Sequence, residues 1–246
     1  MIKTLRTFRA YSVAAMVTLV VASMITVVGL FDKRGFVFWP LMKIWGFFIC
    51  KGGGLGRLEI VGLELIPGDT GVIFMPNHES HLDPPLMMNV SPYPVRFIAK
   101  ASLFRIPFLG WAMWSAGMIT IDRSNQKKAF ASIGRATEMI RAGKNVLVFP
   151  EGTRTQDGAL GAFKKGGFVM AVRGGVPIVP VGIAGTRQVM PPGIMIQGAG
   201  PAVVVVGEPI STVGYDESSK GELMKLVEER IADLREEASL RLEALS

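Results

Sequence analysis

Residues 11–31, YSVAAMVTLVVASMITVVGLF, contain no charged side chain, and this run narrows the possible folds more than any other feature. About 20 apolar residues suffice to cross a hydrocarbon core. Lys3, Arg6 and Arg9 precede the run, which suits a cytoplasmic N-terminus, while Lys33 and Arg34 follow it and blunt the asymmetry. A cleaved signal peptide fits poorly, because its apolar core is normally about 7–15 residues and ends at a small-residue cleavage site. A second apolar segment, 35–50, follows at once and carries Trp39, Pro40, Lys43 and Trp45, residue types suited to the headgroup level. The pair reads either as a spanning helix followed by an interfacial one, or as a helical hairpin in one leaflet. Either way residues 1–56 are expected to anchor the chain to a phospholipid bilayer. The stretch KGGGLG (51–56) reads as a flexible joint to a domain covering 57–246.

Composition supports that division. Apolar residues make up 49% and charged residues 19% of the chain, with a mean hydropathy of +0.38, so there is ample apolar surface to order a core and disorder is excluded. The net charge of +7 is unevenly spread: residues 1–207 hold 22 Lys and Arg against 10 Asp and Glu, and residues 208–246 hold 5 against 10. The basic part favours anionic lipid or phosphorylated ligands. It carries no zinc-finger spacing, RNP aromatics or basic stripe, so no nucleic-acid partner is expected. Cys50 stands alone, which excludes an intrachain disulfide. In the acidic tail, Leu223, Leu226, Val227, Ile231, Leu234, Ala238 and Leu242 recur at helical spacing over 218–244.

Beyond Arg57, short apolar runs alternate with helical patterns. Strands are expected at 58–65, 71–75, 95–99, 117–121, 145–149, 177–183 and 202–207, and helices at 84–90, 107–115, 125–142, 163–173 and 218–244. The alternation predicts an α/β domain whose largely parallel sheet is flanked by helices. Three predicted strands run into polar residues: one into Asn77-His78, one into Asp122-Arg123, and one into Glu151-Gly152-Thr153-Arg154. Ligands of parallel sheets gather beyond the carboxyl ends of the strands, so these clusters are expected to form one site.

The only histidines, His78 and His81, fall in the heptapeptide NHESHLD. Histidine is the side chain best suited to take a proton near neutral pH. Asp83, five residues after His78, could fix its tautomer. A five-residue offset in a regular helix turns two side chains well apart, so the pairing needs a turn. Asp83 could also N-cap a helix starting at Pro84, and both roles can hold. HESH falls one residue short of the HExxH zinc signature, and no metal is expected.

NHESHLD resembles the NHxSxxD box of the glycerolipid acyltransferases, the H-x4-D family. Further matches follow in that family's order. KASLFRIPFLGW (100–111) resembles its K-x2-L-x3-P-x2-G-W segment, and GMITIDR (117–123) its next block, with Thr120 where an aromatic is usual. FPEGTR (149–154) and VPIVPVGI (176–183) complete the set. Details such as IPFLGW and FPEGTR look most like the 1-acylglycerol-3-phosphate acyltransferases. The resemblance implies that His78 deprotonates the sn-2 hydroxyl of lysophosphatidate, with Asp83 holding the imidazole. The alkoxide then attacks the thioester of acyl-CoA or acyl carrier protein, giving phosphatidic acid. No covalent intermediate and no resident cofactor are implied. Lys100, Arg123 and Arg154 would hold the acceptor phosphate, Glu151 would either orient Arg154 or the acceptor hydroxyls or serve as a helix-start carboxylate, and Gly152 and Thr153 would complete the substrate-binding set. Backbone amides near Gly152 are candidates for the oxyanion. The location implied is the inner membrane, with the catalytic domain on the cytoplasmic side. Other readings to separate by assay are another lysophospholipid or lyso-aminolipid as acceptor, an acyl-ester hydrolase, and a non-catalytic membrane-binding protein.

Overall fold

Seven of the apolar runs become strands of a single sheet in the computed structural model. It describes the chain except residues 1, 33, 69, 122–125, 194 and 246, and for residues 2 and 126–129 it describes the backbone alone. The strands are β1 (Leu55–Val61), β2 (Ile73–Pro76), β3 (Val95–Lys100), β4 (Ile119–Ile121), β5 (Asn145–Leu147), β6 (Ile178–Ala184) and β7 (Gly200–Val206). Their order is β1-β7-β6-β2-β5-β3-β4. The strands from β6 to β4 run parallel, β7 is antiparallel to β6, and β1 is parallel to β7. The first expected strand begins earlier than predicted and ends before Leu63–Leu65, which form a 3-10 turn.

Period-two alternation divides the core into two layers. Phe74 joins one apolar cluster, while its neighbours Ile73 and Met75 join another on the opposite face. The second face is covered by α6 (Gln126–Arg141), α7 (Lys165–Gly174) and α9 (Lys220–Leu245), with α8 (Thr186–Val189) following β6. In α9 the predicted stripe is buried at Leu223, Val227, Ile231, Leu234, Ala238 and Leu242, whereas Leu226 stays exposed at its margin. The α9 backbone lies directly against β6 at Gly182, where a Cβ would come within 2.3 Å of the Leu234 carbonyl carbon. Only glycine permits that approach.

The first face carries α4 (Asp83–Val90), α5 (Leu109–Ser115) and the N-terminal helices. Here α1 (Ile2–Val17) passes through a π-helical turn into α2 (Ser23–Phe31), and α3 (Phe38–Gly53) folds back beside α1. Trp45 Nε1 donates to Thr18 Oγ1 at 3.0 Å across the pair. Asp32 closes the turn by accepting the amides of Gly35, Phe36, Val37 and Phe38. The span Lys3–Phe31 is long and apolar enough to cross a membrane by length and composition. Phe8, Met16, Leu19, Met24, Val27 and Phe31 are exposed along it.

The joint differs from expectation. Residues 51–53 continue α3, and β1 starts at Leu55. A Cβ on Gly53 would meet Leu82 Cδ2 at 2.7 Å, so the glycine allows close packing instead of a loose linker.

Candidate active site

The site grows from the carboxyl end of β2, which the sheet order sets beside β5 and β6. Asn77 continues the pairing with its side chain: Nδ2 donates to the Ile183 carbonyl at 3.0 Å, and Oδ1 accepts the Ile183 amide at 2.7 Å. The backbone is thereby free to turn. The next residue, His78, projects from that turn, stacked on Phe149 with ring centroids 3.9 Å apart.

His78 Nδ1 and Asp83 Oδ2 are 2.8 Å apart, with Asp83 fully buried and the histidine side chain 15% exposed. The same Oδ2 accepts the Glu79 and Ser80 amides, each at 2.8 Å, while Oδ1 accepts the Thr186 hydroxyl at 2.7 Å. Asp83 serves as the acceptor for every one of these groups. It therefore fixes the proton of neutral His78 on Nδ1 and leaves Nε2 as the basic nitrogen. The five-residue offset is met by the turn, as the sequence required. The N-cap reading is not met: helix α4 begins at Asp83 itself, and the carboxylate folds back to upstream amides and makes no side-chain cap bond.

The rest of the box is structural support. Ser80 is fully buried, donates to the Met190 carbonyl at 2.7 Å and accepts the Leu82 amide. Its proton is given to a backbone carbonyl and it is closed off from solvent, which removes it as a nucleophile. Glu79 is buried beside Thr186 and Arg235. His81 keeps an exposed edge, yet partial desolvation by the surrounding loops, and then the nearby Arg154 charge, lowers its pKa.

From β5 the chain brings Glu151 under the turn. Its Oε1 accepts the His78 amide at 2.6 Å and its Oε2 the Gly161 amide at 2.8 Å. Glu151 was expected to orient Arg154 or acceptor hydroxyls, but both of its oxygens are committed to backbone amides. It clamps the His78 backbone, and burial raises its pKa. Gly152 adopts φ +73°, and its amide donates to the Phe149 carbonyl, so that amide is not an oxyanion donor. Thr153 is exposed. Arg154 is half-buried, and its Nη1 is buried with no partner among the described residues. Desolvation lowers the Arg154 pKa, while the nearby Asp83 favours its charge; Tyr11 of α1 lies within electrostatic range. Lys100 is exposed at the end of β3, paired in register with Ile121. Arg123 lies outside the described residues.

Sequence reasoning missed Thr186, which lies 103 residues from Asp83, and gave Asn77, Phe149 and Glu79 no individual role. The available signal was the motif itself: NH and FP sit at two strand ends that adjacent parallel strands bring together.

A family model described as acyltransferase matches residues 57–184. The chloroplast 1-acyl-sn-glycerol-3-phosphate acyltransferase of Brassica napus is 36% identical over 174 residues, 70% of this chain and 48% of its own length. The 1-acyl-sn-glycerol-3-phosphate acyltransferase of Salmonella typhimurium is 31% identical over 174 residues, 69% of this chain and 70% of its own. The chain thus spans about half the length of the plant relative. The crystal structure of the 1-acyl-sn-glycerophosphate acyltransferase PlsC from Thermotoga maritima superposes with a TM-score of 0.84 at 28% identity, covering 96% of this chain and 95% of that one. A buried His–Asp pair at the strand ends, inside a matched segment that includes every strand from β2 to β6, makes this chain a member of the acyltransferase family.

Proposed function

We propose that this protein transfers an acyl chain from acyl-CoA or acyl carrier protein to the sn-2 hydroxyl of 1-acylglycerol-3-phosphate, yielding phosphatidic acid. The observation that carries the reading is the 2.8 Å contact between His78 Nδ1 and the fully buried Asp83. In this mechanism His78 Nε2 takes the hydroxyl proton as the acceptor oxygen attacks the thioester carbonyl. The tetrahedral intermediate collapses, the carbon–sulfur bond breaks, and the departing thiolate takes the proton from the imidazolium. Asp83 stabilises that imidazolium while it exists. With Ser80 committed to structure and Cys50 buried in α3, acyl transfer is direct.

The acceptor phosphate supplies what the orphaned Arg154 Nη1 lacks. A guanidinium satisfies such a group by a charge-assisted bond to phosphate. Lys100 and Arg123 are proposed as further cations, and Thr153 and Gly152 as groups lining the same end of β5. Glu151 acts by holding the His78 amide. The apolar face of α1 and α2 supports membrane association, with the catalytic residues on the cytoplasmic side.

The test is a purified-protein assay with acyl-CoA, run with and without lysophosphatidate, in which the lipid product is identified. Phosphatidate formed only with acceptor is the expected result, and H78A is expected to lower kcat by about 10²–10⁴-fold. Thioester consumption without acceptor, or undiminished transfer by H78A, would overturn the reading.

A further inference from the structure

Glu79 is a buried carboxyl of the NHESHLD box that takes no part in the reaction as described so far. It is 4% exposed, and carboxylates are seldom that buried unless paired. From the elements packed around it, it meets Asp83 on α4, Thr186 and the Arg187 amide on α8, and Arg235 on α9, with His78 as its chain neighbour. Its Oε1 lies 3.3 Å from Thr186 Oγ1 and its Oε2 lies 3.9 Å from Arg235 Nε.

Thr186 has a single hydroxyl proton, and its shorter contact, 2.7 Å to Asp83 Oδ1, claims that proton. Its remaining contact with Glu79 is then lone pair to lone pair unless Glu79 carries a proton of its own. As the acid, Glu79 can donate to Thr186 Oγ1 and complete a chain from Glu79 through Thr186 and Asp83 to His78. Burial and the Asp83 charge favour that acid and raise the Glu79 pKa to about 7, while Arg235, the Arg187 amide and any share of the Thr186 hydroxyl proton oppose them. Arg235 also donates to the Gly158 carbonyl, in the loop that follows Arg154. The carboxyl thus stands between two partners, one suited to each of its protonation states.

We propose that Glu79 is a positioning residue for the His78–Asp83 pair: as the acid it donates to Thr186 and steadies the hydroxyl that holds Asp83, and as the carboxylate it turns to Arg235 on α9 and releases that hydroxyl. The inference rests on His78 acting as the base. The expected consequence is a loss of turnover on the alkaline side that belongs to Glu79.

The experiment measures kcat and kcat/KM for phosphatidate formation by the full chain from about pH 5.5 to about pH 9. It uses wild type, E79Q, E79A and T186V, with thermal unfolding of each. The E79Q amide donates at every pH, so this variant is expected to lack the wild-type alkaline decline. E79A and T186V are expected to turn over about tenfold more slowly than E79Q, with the acceptor KM unchanged. Ionisation of the acceptor phosphate would appear equally in wild type and E79Q, so the comparison cancels it. An E79Q alkaline limb that superimposes on wild type overturns the proposal, even should E79A fail to fold. So does an E79A kcat equal to that of E79Q. If wild type forms no phosphatidate at all, the proposed reaction itself falls and takes this role with it.

Discussion

Replacing Asp83 with Asn separates the geometry of the His78 pair from its charge. The amide oxygen can keep the side now accepting His78 Nδ1 and the Glu79 and Ser80 amides. The new NH2 would then face Thr186 Oγ1, now 2.7 Å from the carboxylate. The turn can therefore survive, but the imidazolium formed during acyl transfer no longer faces a negative charge. Unit charges about 4 Å apart at an effective dielectric near 20 interact by about 4 kcal/mol. That amount, added to the barrier, corresponds to roughly a 10³-fold loss in kcat. Folding stability should change far less, because the neutral side chain no longer bears the cost of burying a charge. The acceptor KM should hold, since Arg154 is untouched. The measurement is initial-rate phosphatidate formation over a range of acceptor concentrations, beside a thermal melt. A well-folded D83N with kcat within about tenfold of wild type would refute the assignment of Asp83 to the transition state.

Other expectations follow from neighbouring residues. Arg154→Ala should raise the acceptor KM by about 10–100-fold, the worth of one charge-assisted hydrogen bond; a phosphate-free monoacylglycerol acceptor should feel no such change. Ser80→Ala should lose about 1–3 kcal/mol of stability by orphaning the Met190 carbonyl and the Leu82 amide, yet still transfer acyl groups; complete loss of transfer from a folded S80A would revive an acyl-serine route. For Glu79, the folded pKa of about 7 exceeds the ordinary 4.5, so between those values the folded state holds the extra proton and stability falls as pH rises. E79Q should accordingly melt higher than wild type above neutrality, with the advantage shrinking as pH falls through 7, as read by thermal unfolding at several pH values.

The strands and helices of the domain were legible because each carries its own signal. Seven short apolar runs bounded by turns became seven strands, and the α9 stripe buried itself at helical spacing. His78 and Asp83 were legible as a pair because they are close in sequence and flanked by a turn. What lay beyond reading was the long-range hydrogen bonding. Thr186 reaches Asp83, and Asn77 reaches Ile183, only after β6 has been placed beside β2. Glu151 illustrates the limit from the other side. Its place at a strand end suggested a ligand-facing carboxylate, but whether a carboxylate points to solvent or into the backbone beneath depends on the loop that closes over it, here through Gly161. The glycines at 52–54 misled for a related reason, since local composition does not distinguish a residue chosen for freedom from one chosen for lack of bulk.

That last distinction changes what the N-terminal helices do. A flexible joint would make residues 1–56 a tether, with the active site diffusing near a membrane on a loose leash. Instead Ala22, Ile25, Phe38, Trp39 and Met42 of the N-terminal helices belong to the same apolar cluster as Phe74, Leu86 and Phe97. Thr7 accepts the Ile196 amide and Lys3 donates to Gln197, so the start of α1 also holds the loop between α8 and β7. Tyr11 of the same helix lies within electrostatic range of Arg154. One helix therefore carries an exposed apolar face and supplies part of the surroundings of the guanidinium proposed for phosphate. An acceptor lipid has the same two parts, an acyl chain that belongs in hydrocarbon and a phosphate that belongs at its edge. Fixing α1 rigidly to the domain sets the depth of Arg154 relative to whatever the apolar face is buried in. For the proposed reaction a tether could only hold the protein near a lipid acceptor, whereas a packed helix would fix the height at which its headgroup meets His78.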